Sequence, residues 1–205
     1  MKMHLYLLLV AVLLSGASST PPYNGYEQPD WTLKPNQPKD GSFEVRSYPA
    51  ANWTVTSVTA PNFDVAGNIA FWRVFRYIQG SNVEAMKMAM TVPVTTEMPR
   101  EDCPFCNVTY TMAFYLPSKY QLAPPKPTDG LIRTEHRAPL TVYVRRFSGW
   151  ANAQDWRTQA SMLHDSLLEN GVLDSEVDRT RFYAVGYDSP SQLFNRRNEV
   201  WLIAV

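Results

Sequence analysis

Three methionines, Met86, Met88 and Met90, occupy alternate positions in the stretch EAMKMAMTVPVTTEM. Thioethers are soft ligands that suit copper(I), so one reading is a metal set. Residues two apart on a strand lie about 6.7 Å apart, and three side chains would have to bend inward to share one ion. The stretch also continues in phase. Val92 and Val94 follow on even positions, whereas Lys87, Thr91, Thr95 and Glu97 take odd ones. Period two is the signature of a strand, and methionine is a flexible filler of apolar interiors. The run therefore reads as a core strand with a polarisable inner face.

Cys103 and Cys106 form the other compact pair, in the string CPFC. A redox dithiol needs a helix N-terminus to lower the thiol pKa, but the residues that follow, NVTYTMAFYL, alternate as a strand does. A plain disulfide is the expectation, and a thiol oxidoreductase is the class it displaces. No G-x-S-x-G, H-E-x-x-H, phosphate-loop or dinucleotide motif is present. His136 lies between Glu135 and Arg137 in the polar part of a strand, and His164 falls on the border of a helix stripe formed by Trp156, Ala160, Leu163 and Leu167. Both read as solvated side chains, and the chain as no enzyme.

The first residues, MKMHLYLLLVAVLLSGA, combine a lysine, a ten-residue apolar run and small residues before a cut. This is the pattern of a signal peptide over residues 1–17, too short to span a bilayer. Export agrees with the disulfide and with two glycosylation sequons, at Asn52 and Asn107. Phase places both asparagines opposite the apolar residues of their strands. Nineteen basic and nineteen acidic residues leave the chain neutral, with no basic block and no sign of a nucleic-acid partner.

Residues 18–40 are proline-rich and aperiodic, a lead-in whose docking points would be Trp31 and Leu33. From residue 41 to 205 one pattern occurs twice. Strands at Phe43–Tyr48 and Ala51–Thr59 precede a helix at about Asn62–Gln79, the methionine strand and the strand after the cysteines. Strands at Ile132–Arg137 and Leu140–Phe147 precede a helix at Asn152–Asn170 and strands at Arg181–Tyr187 and Glu199–Ala204. Two β-β-α-β-β units pair into an α+β domain, eight strands bent into a sheet or barrel with two covering helices.

The strings MKMAMTVPVTT, FYLPSKYQLAPPKPTD, LTVYVRRFSGW and GYDSPSQLFNRRNEVWLI resemble signature segments of the SOUL, or haem-binding protein, family, in order, across residues 31–205. The resemblance implies a distorted eight-stranded antiparallel β-barrel with two α-helices. It also implies a non-covalently held haem or other tetrapyrrole, and no catalysis. The string VRSYP departs from the pattern: Ser47 stands where some members have a histidine proposed as an axial haem ligand. The CPFC pair and the leader are further departures.

A ligand site can be sought on the first helix. Phe63, Ala66, Ala70, Phe71, Val74 and Ile78 form a stripe for the sheet, and Val65, Ile69 and Trp72 form a second on the opposite side, beside Arg73 and Arg76. A porphyrin has a flat apolar face and propionates that arginines pair with. Val65, Ile69, Trp72, Arg73 and Arg76 are thus the candidate haem contacts. The bland account is that Trp31 and Leu33, or another subunit, cover the stripe. The barrel interior is expected to be filled by Met86, Met88, Met90, Tyr110, Met112 and Phe114. The reading is a secreted tetrapyrrole carrier without a membrane span; the alternative is a secreted interaction module that keeps the fold without the ligand.

Overall fold

The computed structural model describes residues 20–100, 106–189 and 191–205. The leader and Cys103 lie outside these residues; no described cysteine is free. The strands are β1 (Thr32–Leu33), β2 (Glu44–Tyr48), β3 (Ala51–Ala60), β4 (Val94–Pro99), β5 (Val108–Tyr115), β6 (Ile132–Arg137), β7 (Leu140–Phe147), β8 (Arg181–Gly186) and β9 (Asn198–Ile203). Helix α1 (Phe63–Ile78) follows β3, and helix α2 (Ala153–Glu169) follows β7. Local chemistry sets the helix starts. The Asn62 side chain accepts the Val65 N–H, and Asn152 and Asp155 form a reciprocal capping box.

All strands join one antiparallel sheet in the order β1-β2-β7-β9-β8-β4-β5-β3-β6. Exchanging the two halves (β2 with β6, β3 with β7, β4 with β8, β5 with β9) leaves the pairing from β2 to β6 unchanged, with β4–β8 at the centre. The ninth strand, β1, is the end of the lead-in added to the edge at β2.

The sheet curls. Arg137, on edge strand β6, places its guanidinium 4.5 Å from the Trp53 ring and 5.3 Å from the Tyr183 ring of β8, although β4, β5 and β3 intervene in the sheet. Both helices cover one face. There Ala66, Ala70, Val74 and Ile78 of α1 and Trp156, Leu163 and Leu167 of α2 pack with Val58, Met98, Tyr110, Met112, Phe114, Phe182, Ala184 and Leu202. The inside of the curl holds Tyr48, Val142, Val144, Tyr183, Val185, Tyr187 and Trp201, with Trp53 and Tyr115 in a satellite cluster.

This corrects the expected filling of the interior. Tyr110, Met112 and Phe114 belong to the helix-covered layer, and aromatic rings and arginines occupy the inside. The methionine run is not a strand either. Met88 is buried in the helix-side core, Met90 is half-buried and Met86 is exposed. Residues 85–90 belong to no strand, and the β4 ladder begins only at Val94. Pro93 has no N–H to donate, so the ladder cannot run back through it. Trp31 and Leu33 do not cover the second stripe of α1: Trp31 packs on the cluster inside the curl with the Arg46 guanidinium 4.4 Å from its ring, and Leu33 is exposed.

Candidate functional site

The central β4–β8 ladder ends at the pair Val94–Gly186. Beyond it a cavity of about 230 Å³ opens, lined by Met90, Val92 and Val94 on one side and Gly186, Tyr187, Asp188 and Ser189 on the other. Phe71 and Phe75 of α1 and Tyr26 of the lead-in complete the walls. Phe71 and Phe75 are one helical turn apart, and their rings stack 5.6 Å apart at 13°. Trp72 meets both edge-on, so three aromatic rings group at this part of α1. On β8, Phe182 and Ala184 face the helix side, so Gly186 does too, and a Cβ added there would meet no atom within 4 Å. The missing side chain is part of the opening.

The remaining candidates fall in several places. Val65, Ile69 and Trp72 are 43%, 43% and 49% exposed, and nothing among the described residues covers the stripe. Trp72 alone adjoins the cavity, through its contacts with Phe71 and Phe75. Arg76 is exposed beside this stripe and makes no ion pair among the described residues. Arg73 points the other way. It donates to Thr56 Oγ1 at 2.9 Å and to the Ser57 carbonyl, and lies 4.0 Å from Asp129. Neither histidine lines the cavity. His164 Nε2 is 2.8 Å from Asp174 Oδ1, and His136 is exposed with Nδ1 3.0 Å from Asn52 Oδ1. Ser47 sits in β2 between Thr32 and Thr141, away from the cavity lining. Sequence reasoning missed Phe75, Gly186 and Tyr26. An i, i+4 pair of phenylalanines and a glycine inside a strand were the available signals; nothing in the lead-in pointed to Tyr26.

Behind the cavity lies a carboxylate with no exposure at all, Glu199. Arg46 Nη1 and Nη2 donate to its two oxygens at 2.9 and 3.2 Å, and Arg197 Nε and Nη2 to Oε1 at 2.9 and 2.6 Å. Tyr187 Oη and Trp201 Nε1 donate to Oε2 at 3.0 and 2.9 Å. Burial pushes the Glu199 pKa up, but the two guanidinium groups and these hydrogen bonds outweigh it and hold the carboxyl below its usual range. Burial pushes the Tyr187 hydroxyl well above the ordinary phenol value, and the Glu199 charge adds to it. Next to Tyr187, Asp188 accepts from Tyr23 Oη and from the Arg197 backbone N–H. The cavity floor, the lead-in and the buried ion cluster are therefore mechanically joined.

A second, more open groove of about 580 Å³ runs along the β2–β7 edge, lined by residues 34–39 with Phe43, Val45 and Tyr143. It lacks the stacked aromatic wall.

The fold resembles the solved C-terminal domain of EcmrR, with a TM-score of 0.54 over 78% of this chain and 95% of that one. At 9% identity this likeness concerns the fold alone. Sequence relatives are nearer. Heme-binding protein 2 of Homo sapiens is 40% identical over 190 residues, covering 92% of this chain and 91% of its own. Heme-binding protein 1 of Bos taurus is 32% identical over 164 residues, covering 80% and 84%. The SOUL heme-binding protein family matches residues 26–203. With that match spanning the curled sheet, both helices and every wall of the cavity, the chain belongs to the SOUL heme-binding protein family.

Proposed function

We propose that this protein binds haem, or another tetrapyrrole, without covalent attachment, in the cavity at the end of the β4–β8 ladder, and catalyses no reaction. The observation that carries the reading is the apolar cavity itself, where the aromatic pair Phe71–Phe75 lines the same open space as the side-chain-less Gly186. The names of the relatives support the ligand class. The space is smaller than the roughly 300–1,000 Å³ of cavities that enclose a drug-sized ligand. A macrocycle would therefore enter in part, with the rest lying against Trp72 and Ile69. A bound haem would supply a flat apolar face, an iron centre and two carboxylates. Phe71, Phe75, Met90 and Val94 would hold the face, and Arg76 would pair with a propionate.

Titrating the purified mature protein with haemin tests this through the Soret band. Saturable binding at one equivalent is expected. Arg76→Ala should weaken it by about 1.5–3 kcal/mol, the range for a hydrogen bond to a charged group. Arg73→Ala should leave it unchanged, because that guanidinium already serves Thr56 and Ser57. No saturation at all would favour the interaction-module reading, for which the exposed Val65–Ile69–Trp72 stripe is the supporting observation.

The reading includes export, supported by the leader and by the Cys103–Cys106 pair, and it assigns one glycan. Asn52 Nδ2, the atom a glycan would modify, donates to the Gln121 carbonyl at 2.6 Å, and Gln121 donates back to the Asn52 carbonyl at 3.0 Å. The even face of β3 lies under α1, with Thr54, Thr56 and Val58 buried, so Asn52 is not on an outward face. Asn107 is exposed. Material secreted from a glycosylating host should lose its glycan mass on Asn107→Gln and keep it on Asn52→Gln.

A further inference from the structure

We propose that the groove along the β2–β7 edge binds a long-chain fatty acid, with its alkyl chain on the apolar floor and its carboxylate paired with Lys34 or Lys39. No residue lines both this groove and the cavity at the end of the β4–β8 ladder, so the two sites are separate. The floor follows from how the helices cover the sheet. Val45 of β2 and Tyr143 of β7 are direct partners, and both pack against the helix-side core. Helix α2 packs on β9 and β7, and β2 lies one strand further out. The apolar face at that edge therefore needs another roof. Residues 34–39 supply it as an arch. The Val45 carbonyl accepts the Lys34 N–H at 2.9 Å, and the chain then leaves the sheet. The Gln37 side chain returns to the same residue: its Nε2 donates to the Val45 carbonyl at 2.8 Å, and its Oε1 accepts the Val45 N–H at 2.9 Å. One side-chain amide thus satisfies edge groups that a longer strand would have paired. Pro35 and Pro38 fix the backbone on either side of Gln37. The Gly41 N–H closes the arch on the Pro38 carbonyl at 3.3 Å.

The space under the arch, about 580 Å³, falls within the roughly 300–1,000 Å³ of small-molecule sites. Its lining sets the class of occupant. Phe43, Val45, Tyr143 and Val172 are aromatic or aliphatic, and the Phe43 and Tyr143 rings meet edge-on at 5.9 Å. Such a floor holds a flexible chain by area. Lys34 and Lys39 are the charged residues of the lining; both are exposed, and neither has an ion pair among the described residues. Asp40, beside Lys39, is already engaged, accepting from the Ser42 N–H and hydroxyl and from Asn170 Nδ2. Two uncompensated ammonium groups next to an apolar floor complement an amphiphile with a single anionic head. An ammonium acts as a point charge on a flexible stem, which suits a carboxylate at the mobile end of a chain.

The test titrates the mature chain by calorimetry with laurate and with dodecanol, which has the same chain and no charge, both below micelle formation. Laurate should saturate at one equivalent and weaken as salt is raised. Dodecanol should bind about tenfold more weakly and ignore salt. The double variant Lys34→Glu with Lys39→Glu, on the exposed arch, should cut laurate affinity by about tenfold or more and leave dodecanol as in the parent. Val45→Trp and Thr141→Trp each place an indole in the groove and should abolish binding of both probes, with a thermal melt confirming that each variant is folded. Gly186→Leu should keep laurate binding, which separates this site from the other cavity. Absence of saturation by laurate, equal affinity for the two probes, or parent-like laurate binding in the lysine variant would overturn the proposal. So would loss of laurate binding in Gly186→Leu, or its survival in both tryptophan variants.

Discussion

Gly186→Leu should weaken haemin binding by about a hundredfold or more, close to 3 kcal/mol, without destabilising the protein. Three observations meet at this position. Gly186 closes the central ladder opposite Val94, its missing side chain faces α1, and a Cβ there would meet nothing within 4 Å. A leucine side chain would therefore extend into the space in front of the Phe71–Phe75 wall. The backbone at Gly186 is not in the left-handed region, so the larger residue brings no strain. Replacing a strand glycine should instead stabilise slightly, by about 0.4–1 kcal/mol, through the unfolded chain. The check is a Soret titration beside a thermal melt. Loss of binding with an equal or higher Tm is the expected pair of results. Parent-like binding would remove the cavity from consideration and return attention to the exposed stripe of α1.

Glu199→Gln should cost about 3–5 kcal/mol of stability, the range for breaking a buried ion pair by removing one partner. The amide keeps the shape and some hydrogen bonds but leaves the Arg46 and Arg197 charges facing each other around a neutral group. Arg46 retains Glu44 at 2.7 Å, but that carboxylate is half exposed and cannot replace a buried one. For a domain of this size the Tm should fall by about 2–4 °C for each kcal/mol. The same cluster fixes an acid dependence. The folded-state pKa of Glu199 lies below its unfolded value, so its contribution is fully present above the unfolded value. It is lost as pH falls below about 4, toward the folded value. Denaturant melts at pH 7 and pH 3 should show a wide gap between parent and Glu199→Gln at the higher pH and a narrower one at the lower. A gap that does not change with pH would contradict the assignment of charge to Glu199.

Local chemistry made much of the chain legible. Asn62 and Asn152 mark the helix starts because a side-chain oxygen ahead of an apolar period satisfies orphan N–H groups, whatever the rest of the fold does. The alternation of Ile132–Arg137 and Leu140–Phe147, with Pro139 near the break, fixed both strand limits as observed. The repeated order of elements gave the fold class, since four strands and a helix in each half leave few ways to cover an apolar sheet. The signature strings gave the family.

Tertiary structure decided what depends on distant partners. Met86–Met90 alternates like a strand, yet a strand also needs neighbours for its N–H and C=O groups, and Pro93 interrupts the ladder. Alternation divided each strand into two faces but could not say which lay under a helix, because both faces of this curled sheet are buried over much of their length. Tyr110, Met112 and Phe114, expected inside the curl, therefore lie on the helix side, and Met88 with them. Arg73 and Arg76 look equivalent on a helical wheel, and only the position of β3 beneath α1 removes Arg73 from the exposed surface. Glu199 stands within an otherwise apolar strand, but one of the two guanidinium groups that neutralise it comes from Arg46, 153 residues earlier. The cavity joins the lead-in, α1, the approach to β4 and the end of β8. Side-chain type and period determine how each segment is built; which segments meet is set by packing across the whole chain, which no local pattern encodes.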